Sequence, residues 1–301
     1  MSIAKYIKEI GRGKQGARSL SREQAADLFG QVLDGTVTDL EIGGFCLAMR
    51  IKSETAQEMA GFLDATSTRL QRVPAGDRPL VVIPSYNGAR KLPVLTPLLA
   101  LLLARQGLPV LVHGAASEST RVFTSDVLEA LDILAQSAIG AVPNGKVVFA
   151  PTALLCPGLQ RLLEVRRAVG LRNPAHSLVK IMNPCAGKSL VVSSYTHPEY
   201  ALSMAATFEL TRANAMLLRG TEGEAVADPR RMPRMDGFLN GERLLLQEAQ
   251  SGPLATLPDI PKELDAAGTA HYIRAVLAGT YPVPAPIAQQ VAHIVHMTSK
   301  L

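Results

Sequence analysis

Residues 80–91 read LVVIPSYNGARK. LVVI (80–83) is an aliphatic run of strand length, and the Pro84, Ser85, Asn87 and Gly88 that follow it are turn formers. The same unit recurs on either side. A helix around 94–106 leads to PVLVHG (109–114), a second strand, and TSDVLEALDIL (124–134) follows as a helix. GKVVFAP (145–151), KSLVVSS (188–194) and AMLLRG (215–220) are three further buried-strand runs, separated by helical segments at 157–169 and 198–213, the latter opened by Pro198. Strands alternating with helices predict a mainly parallel sheet with crossover helices. Upstream the rhythm is purely helical. Ser21 starts REQAADLFGQVLDG, which stops at Gly35; Thr38 starts DLEIGGFCLAMRIK; Ser53 is the expected cap of ETAQEMAGFLDATSTRL. Pro74, Gly76 and Pro79 mark a boundary. The fold class is therefore α/β: a small N-terminal helical domain over 1–72 and a larger α/β domain over 75–301. Residues 224–262, rich in Pro, Arg and Gly, are expected to be irregular, and helices at about 266–278 and 286–297 close the chain.

The 301 residues are 47% hydrophobic and 19% charged, which supplies a sizeable core and excludes wholesale disorder or a coiled coil. Aromatics are 4% with no Trp, so a stacking platform for bases or sugars is not expected. Cys46, Cys156 and Cys185 are odd in number, far apart and without CxxC spacing, which argues against both a disulfide framework and a zinc ribbon. The N-terminus lacks an apolar signal core, and the longest apolar run, about 94–104, contains Pro97 and is too short to span a bilayer. A cytoplasmic protein without a membrane partner is expected.

Charge is unevenly placed. The net charge is +5, and residues 1–22 alone carry Lys5, Lys8, Arg12, Lys14, Arg18 and Arg22 against Glu9. A second block at 161–188 sets Arg161, Arg166, Arg167, Arg172, Lys180 and Lys188 against Glu164. Such blocks are either solvated helix faces or a polyanion surface. Arg outnumbers Lys by 21 to 10, and the planar guanidinium fork suits phosphate.

Two apparent motifs fail on context. Ala186-Gly187-Lys188-Ser189 mimics the end of a P-loop, but the required earlier Gly falls at Met182 and Lys188 enters a strand instead of a helix. His293 and His296 lie three apart on one helix without a third ligand. No residue set carries a nucleophilic or acid–base signature, and no catalytic or metal residue is assigned.

GTVTDLEIGGFCLAMRIKSETAQEMAGFLDA (35–65), VHG (112–114), SDVLEAL (125–131), VRRAVGLRN (165–173), Asn183-Pro184 and DAAGTAHYIRAVLAGTYPVPAPIAQQVA (265–292) appear in the same order as in a known family. The chain resembles the anthranilate phosphoribosyltransferase family, which shares its fold with pyrimidine nucleoside phosphorylases. The resemblance covers nearly the whole chain. It implies a cleft between a helical and an α/β domain and a homodimer through the helical domain, here 1–72 with helices returning from about 157–185. The apolar set Leu40, Ile42, Phe45, Leu47 and Met49 is the expected dimer face.

The family's functional motifs are altered. Its Gly-rich GTGGD-type loop, whose bare backbone approaches the pyrophosphate of phosphoribosyl pyrophosphate, is IPSYNGARK (83–91) here. Its KHGNRxxSSxxGS element is VHGAASESTRVFTS (112–125), with Val112, Ala115 and Ala116 at the Lys, Asn and Arg positions. Its Mg²⁺-binding Asp-Glu pair falls on Ala225 and Val226 in RGTEGEAVADP (219–229), and Mg²⁺ demands oxygen ligands that these cannot supply. Glu222 and Glu224 stand nearby but displaced. The remnants of the substrate site are Asn87, Gly88, His113, Gly114 and Arg166, the last at the anthranilate-side Arg position.

This pattern resembles the YbiB-type branch of the family, which keeps the fold, lacks the transferase motifs and binds nucleic acid. The first expectation is thus a non-catalytic homodimer that binds DNA or RNA with little sequence preference and needs no cofactor. Lys5, Lys8, Arg12, Lys14, Arg18, Arg166, Arg167 and Arg172 are the expected phosphate contacts. The alternatives are a glycosyl- or phosphoribosyltransferase of altered substrate, using Mg²⁺, and a plain scaffold or regulatory partner.

Overall fold

The computed structural model describes residues 2–13, 15–115, 120–253, 258–261 and 263–301. In chain order the elements are α1 (Ala4–Ile10), α2 (Arg22–Asp34), α3 (Asp39–Lys52), α4 (Ala56–Ser67), β1 (Leu80–Ser85), α5 (Thr96–Arg105), β2 (Val110–Gly114), α6 (Thr124–Ala130), β3 (Val147–Pro151) and α7 (Thr152–Leu155). They continue with α8 (Pro157–Val169), α9 (Ala175–Leu178), β4 (Ser189–Tyr195), α10 (Pro198–Leu210), β5 (Ala215–Arg219), β6 (Met235–Leu239), β7 (Glu242–Gln247), α11 (Ala266–Leu277) and α12 (Ala285–Thr298). The chain divides into a helical unit, Met1–Gln71 with Thr152–Pro184, and an α/β unit, Arg72–Pro151 with Cys185–Leu301.

In the helical unit three successive helices open with capping boxes, each a Ser or Thr paired with a Gln or Glu three residues on: Ser21 with Gln24, Thr38 with Glu41, and Thr55 with Glu58. The third corrects the sequence expectation. Thr55, and not Ser53, caps α4, because only Thr55 has an acidic residue at the third helical position; Ser53 instead ends α3 at φ 68°. Glu58 does more than close the box. It is fully buried, receives the Leu20 N–H at 2.9 Å and lies 2.6 Å from the ammonium of Lys52, whose side chain is itself only 7% exposed. Removing either partner alone would strand a buried charge, at a cost of about 3–5 kcal/mol. The core of the unit is Phe29 stacked on Phe62 at 4.6 Å, with Phe45 edge-on to both.

In the α/β unit the described strands form one sheet in the order β3-β2-β1-β4-β5-β6-β7, parallel through β5 and antiparallel thereafter. The mainly parallel sheet follows the strand–helix alternation. The final hairpin does not: β6 and β7 lie inside the 224–262 stretch expected to be irregular. Their signal is weak because β7 is an edge strand with Glu242, Arg243 and Leu245 exposed, and β6 hides a polar side chain, Asp236. Helices cover both faces. Phe238 packs on Phe208 of α10 at 5.2 Å, while its neighbour Gly237 backs onto Met297 of α12, so α10 and α12 lie on opposite faces.

Candidate functional site

β1 and β4 are adjacent, and the chain crosses to opposite sides beyond them, which makes the crevice at their carboxyl ends the switch point where ligands of open α/β sheets bind. Three segments meet there: 85–92 after β1, Ser194 at the end of β4, and 220–226 after β5. The first presents a row of backbone donors. Asn87 and Gly88 donate their N–H groups to Glu224 Oε1 at 2.7 and 2.8 Å. Ser85 Oγ donates to Glu224 Oε2, as does Thr96 Oγ1 at 3.3 Å. Glu222 takes the next three amides: Lys91 at 2.8 Å, Leu92 at 2.9 Å and Arg90 at 3.1 Å.

Five successive-loop amides thus converge on two carboxylates of the same chain. Amide nests of this kind bind anions, and here the anions are tethered side chains. The backbone is bent to achieve it. Glu222 (φ 51°) and Gly223 (φ 89°) are both left-handed, a conformation that costs a non-glycine residue about 1 kcal/mol or more. A Cβ at Gly223 would run into the Asn87 amide, whose Nδ2 donates to Glu222 O at 3.1 Å. Gly88 (φ 60°) is equally constrained, since a Cβ there would lie 2.7 Å from Val122 O. Ser194 Oγ holds Gly223 O at 2.8 Å, and buried Gln290 on α12 brackets the far end through Ala225 O and Ala227 N.

This geometry decides the fit of the groups the family resemblance implies. Ala225 and Val226, at the paired-carboxylate positions, are buried core residues. Both oxygens of Glu224 are committed to four donors, and Glu222 is committed to three amides. Among the described residues no group of three or more His, Cys, Asp or Glu could hold a metal ion. The donors needed for Mg²⁺ and for a pyrophosphate are therefore spoken for, and neither group fits. Glu222 and Glu224 serve the loop and do not stand in as metal ligands.

Of the remnant residues, Asn87 and Gly88 belong to the filled nest. His113 on β2 is fully buried, its Nδ1 2.8 Å from the Tyr86 hydroxyl, and its Nε2 has no hydrogen-bond partner among the described residues. Gly114 ends the same strand, where a Cβ would strike Ser85 O. Arg166 lies on α8 of the helical unit. Ala116 lies outside the described residues.

The expected phosphate contacts all fall in the helical unit, apart from Lys14, which lies outside the described residues. Lys5, Lys8, Arg12 and Arg18 are exposed. Glu9 is shared by Arg12 at 2.6 Å and Arg18 at 4.0 Å, and Lys5 lies 3.8 Å from Asp27; exposed pairs of this kind contribute less than about 1 kcal/mol and exchange readily for phosphate. Arg166 and Arg167 end α8, where cations favour the helix dipole, and Arg172 follows the left-handed Gly170. Not every cation of the two blocks is available: Arg22 forks Asp64 at 2.6 and 2.8 Å, and Arg161 donates to Leu33 O at 2.8 Å, closing the end of α2. Arg172, Arg166 and Lys180 surround His176, and burial, followed by Arg172, pushes this imidazole down to about 4.

Burial alone pushes His113 down to about 3. Both imidazoles stay neutral in the folded chain, whereas unfolded ones protonate near 6.5. The unfolded state thus binds more protons below that pH, so the stability is fully present above about pH 6.5 and falls as pH drops towards 4 and 3. Urea titrations should show a plateau above pH 7 and then losses approaching 1.4 kcal/mol per pH unit for each imidazole. His113→Gln should flatten part of that slope; an unchanged slope would remove His113 from the cause.

A helical bundle joined to a strand–helix body with its ligand loops at the switch point is the architecture of a phosphoribosyltransferase-type protein. The glycosyl transferase family helical bundle domain matches residues 4–67. An uncharacterised Escherichia coli protein, YbiB, is 41% identical over 299 residues, 97% of this chain and 93% of that one. Anthranilate phosphoribosyltransferase from Methanosarcina acetivorans is 29% identical over 272 residues, 87% of this chain and 68% of that one. The crystal structure of anthranilate phosphoribosyltransferase from Thermus thermophilus superposes with a TM-score of 0.75 at 23% identity, covering 98% of this chain and 89% of that chain. The chain belongs to the anthranilate phosphoribosyltransferase-like family, beside its YbiB-like members. Among the described residues no helix is long and apolar enough to cross a membrane.

Proposed function

We propose that the chain is a cytoplasmic, cofactor-independent homodimer that performs no phosphoribosyl transfer and instead binds DNA or RNA through its Arg and Lys surface with little sequence preference. The observation that carries the first half is the filled nest: Glu222 and Glu224 already satisfy the amides that a pyrophosphate would need. Leaving-group stabilisation requires free donors and oxygen ligands for a metal, and here the loop amides and the carboxylates of Glu222 and Glu224 are engaged with one another. The second half rests on the exposed Lys5, Lys8, Arg12, Arg18 and Arg167 with half-buried Arg166 and Arg172. An altered transferase is the competing reading, and one assay divides the two. Phosphoribosyl pyrophosphate, Mg²⁺ and anthranilate should give no turnover; a rate near the ordinary enzyme range of about 1 s⁻¹ would establish the transferase.

The homodimer is proposed on one helical face. Leu40 (86%), Leu47 (43%) and Ile51 (65%) are exposed along α3, one above the other at spacings of seven and four residues, with Gly43 and Gly44 between them. Phe45 and Met49, expected in the same face, are instead fully buried within their own unit. Light scattering at micromolar concentration should give twice the chain mass, and Leu40→Glu with Leu47→Glu should halve it. A monomeric wild type would refute the proposal.

A further inference from the structure

The α/β unit carries its own cluster of guanidinium groups, outside both basic blocks. The sheet register builds it. Tyr195 at the end of β4 pairs with Arg219 at the end of β5. The β5–β6 ladder ends at Leu218 and Met235, and Arg219 and Arg234 are the next residues along the two chains. Behind them Asp236, with its side chain only 7% exposed, receives Arg234 through Nη2 at 3.0 Å and Arg243 through Nη2 at 3.1 Å. Arg243 also sits 6.0 Å over the Phe238 ring. Two planar cations are thereby fixed in orientation by one buried carboxylate and one aromatic ring.

Arg219 is exposed and, among the described residues, makes no ion pair. Among the described residues the cluster pairs with one further acid, Glu248, itself largely exposed and 3.3 Å from Arg234. Three guanidinium groups against one buried and one exposed carboxylate leave a local surplus of positive charge, and like charges set side by side across strands are unfavourable unless an anion joins them. Tyr195 reports the convergence: burial and Asp236 raise its hydroxyl, and Arg219, Arg234 and Arg243 each lower it.

We propose that Tyr195, Arg219, Arg234 and Arg243 form a phosphodiester-binding site for the nucleic-acid backbone on the α/β unit. The assignment rests on the nucleic-acid reading above. Arg forks match phosphate oxygens in pairs, and half-buried Tyr195 stands beside Arg219 at the same end of the sheet. The exposed pair to Glu248 is weak enough to be displaced.

The test compares Arg219→Glu with Arg105→Glu. Arg105 is exposed on α5, which packs with α12 on the opposite face of the sheet from Tyr195, and it supplies the same change in net charge. Neither variant breaks an ion pair among the described residues, so thermal midpoints should match wild type. Binding of a fluorescent oligodeoxythymidine should weaken about tenfold in Arg219→Glu and less than about twofold in Arg105→Glu. Arg219→Ala should make the slope of log K against log salt shallower by about 0.7, one phosphate contact on a single strand. Wild-type affinity in Arg219→Glu, or equal weakening by Arg105→Glu, would overturn the assignment while leaving nucleic-acid binding in place. Failure of the wild type to bind at low salt would overturn the reading on which it rests, and the assignment with it.

Discussion

Glu224→Ala should cost about 3–5 kcal/mol of stability, a drop in thermal midpoint on the order of 10 °C. The carboxylate is fully enclosed and receives two backbone N–H groups and two hydroxyls. Truncation takes this acceptor from the two amides and from Thr96 Oγ1, while Ser85 Oγ keeps Thr124 Oγ1 at 2.8 Å, and each buried orphan costs about 1–3 kcal/mol before relaxation. Glu224→Gln keeps the shape and one acceptor oxygen, so it should lose less. Inorganic phosphate should recover part of the loss in Glu224→Ala and do nothing for wild type, because only the variant exposes an amide nest without its anion. A Glu224→Ala variant as stable as wild type would mean that the nest is held by other contacts and that the glutamate is incidental.

Replacing Arg166, Arg167 and Arg172 together by Ala should weaken binding to every oligonucleotide sequence about equally and make the salt slope shallower by about 2, near 0.7 for each of three lost contacts on single strands. The fold should survive, since exposed or half-exposed Arg→Ala changes usually cost under about 1 kcal/mol each. A second signal separates position from packing. Arg172 and Arg166 help hold His176 low, so its imidazole should titrate closer to the ordinary range in the triple variant, visible by NMR. If the variant binds as wild type does while His176 shifts, the block is a solvated helix end and the phosphate path lies elsewhere on the chain.

Periodicity reveals most of the fold. The parallel strands announce themselves as unbroken aliphatic runs because both faces of the sheet are covered, and the helical unit announces itself through apolar helical spacing behind Ser21 and Thr38, both observed caps. Three features stay hidden for identifiable reasons. The β6–β7 hairpin has no clean alternation, since its buried Asp236 is neutralised by Arg side chains that local sequence marks as solvent-facing. Phe45 and Met49 share α3 with Leu40 and Leu47, and apolar spacing alone does not tell which stripe meets the Phe29–Phe62 pair. The filled nest is the deepest case. Asn87 and Glu224 are 137 positions apart, and a glutamate that caps a distant loop looks like any other glutamate. The only local trace is negative: Ala225 and Val226 sit where oxygen ligands belong, and the structure shows them taken into the core.

The most direct measurement is the affinity of the wild-type protein for a fluorescent single-stranded oligonucleotide at about 50 and 200 mM salt, the range over which phosphate contacts declare themselves. Four contacts on the Arg and Lys surface imply a slope near −3, so the fourfold rise in salt should weaken binding by about 60-fold, alike for different base sequences. No binding at the lower salt, or an affinity indifferent to salt, would contradict the nucleic-acid function.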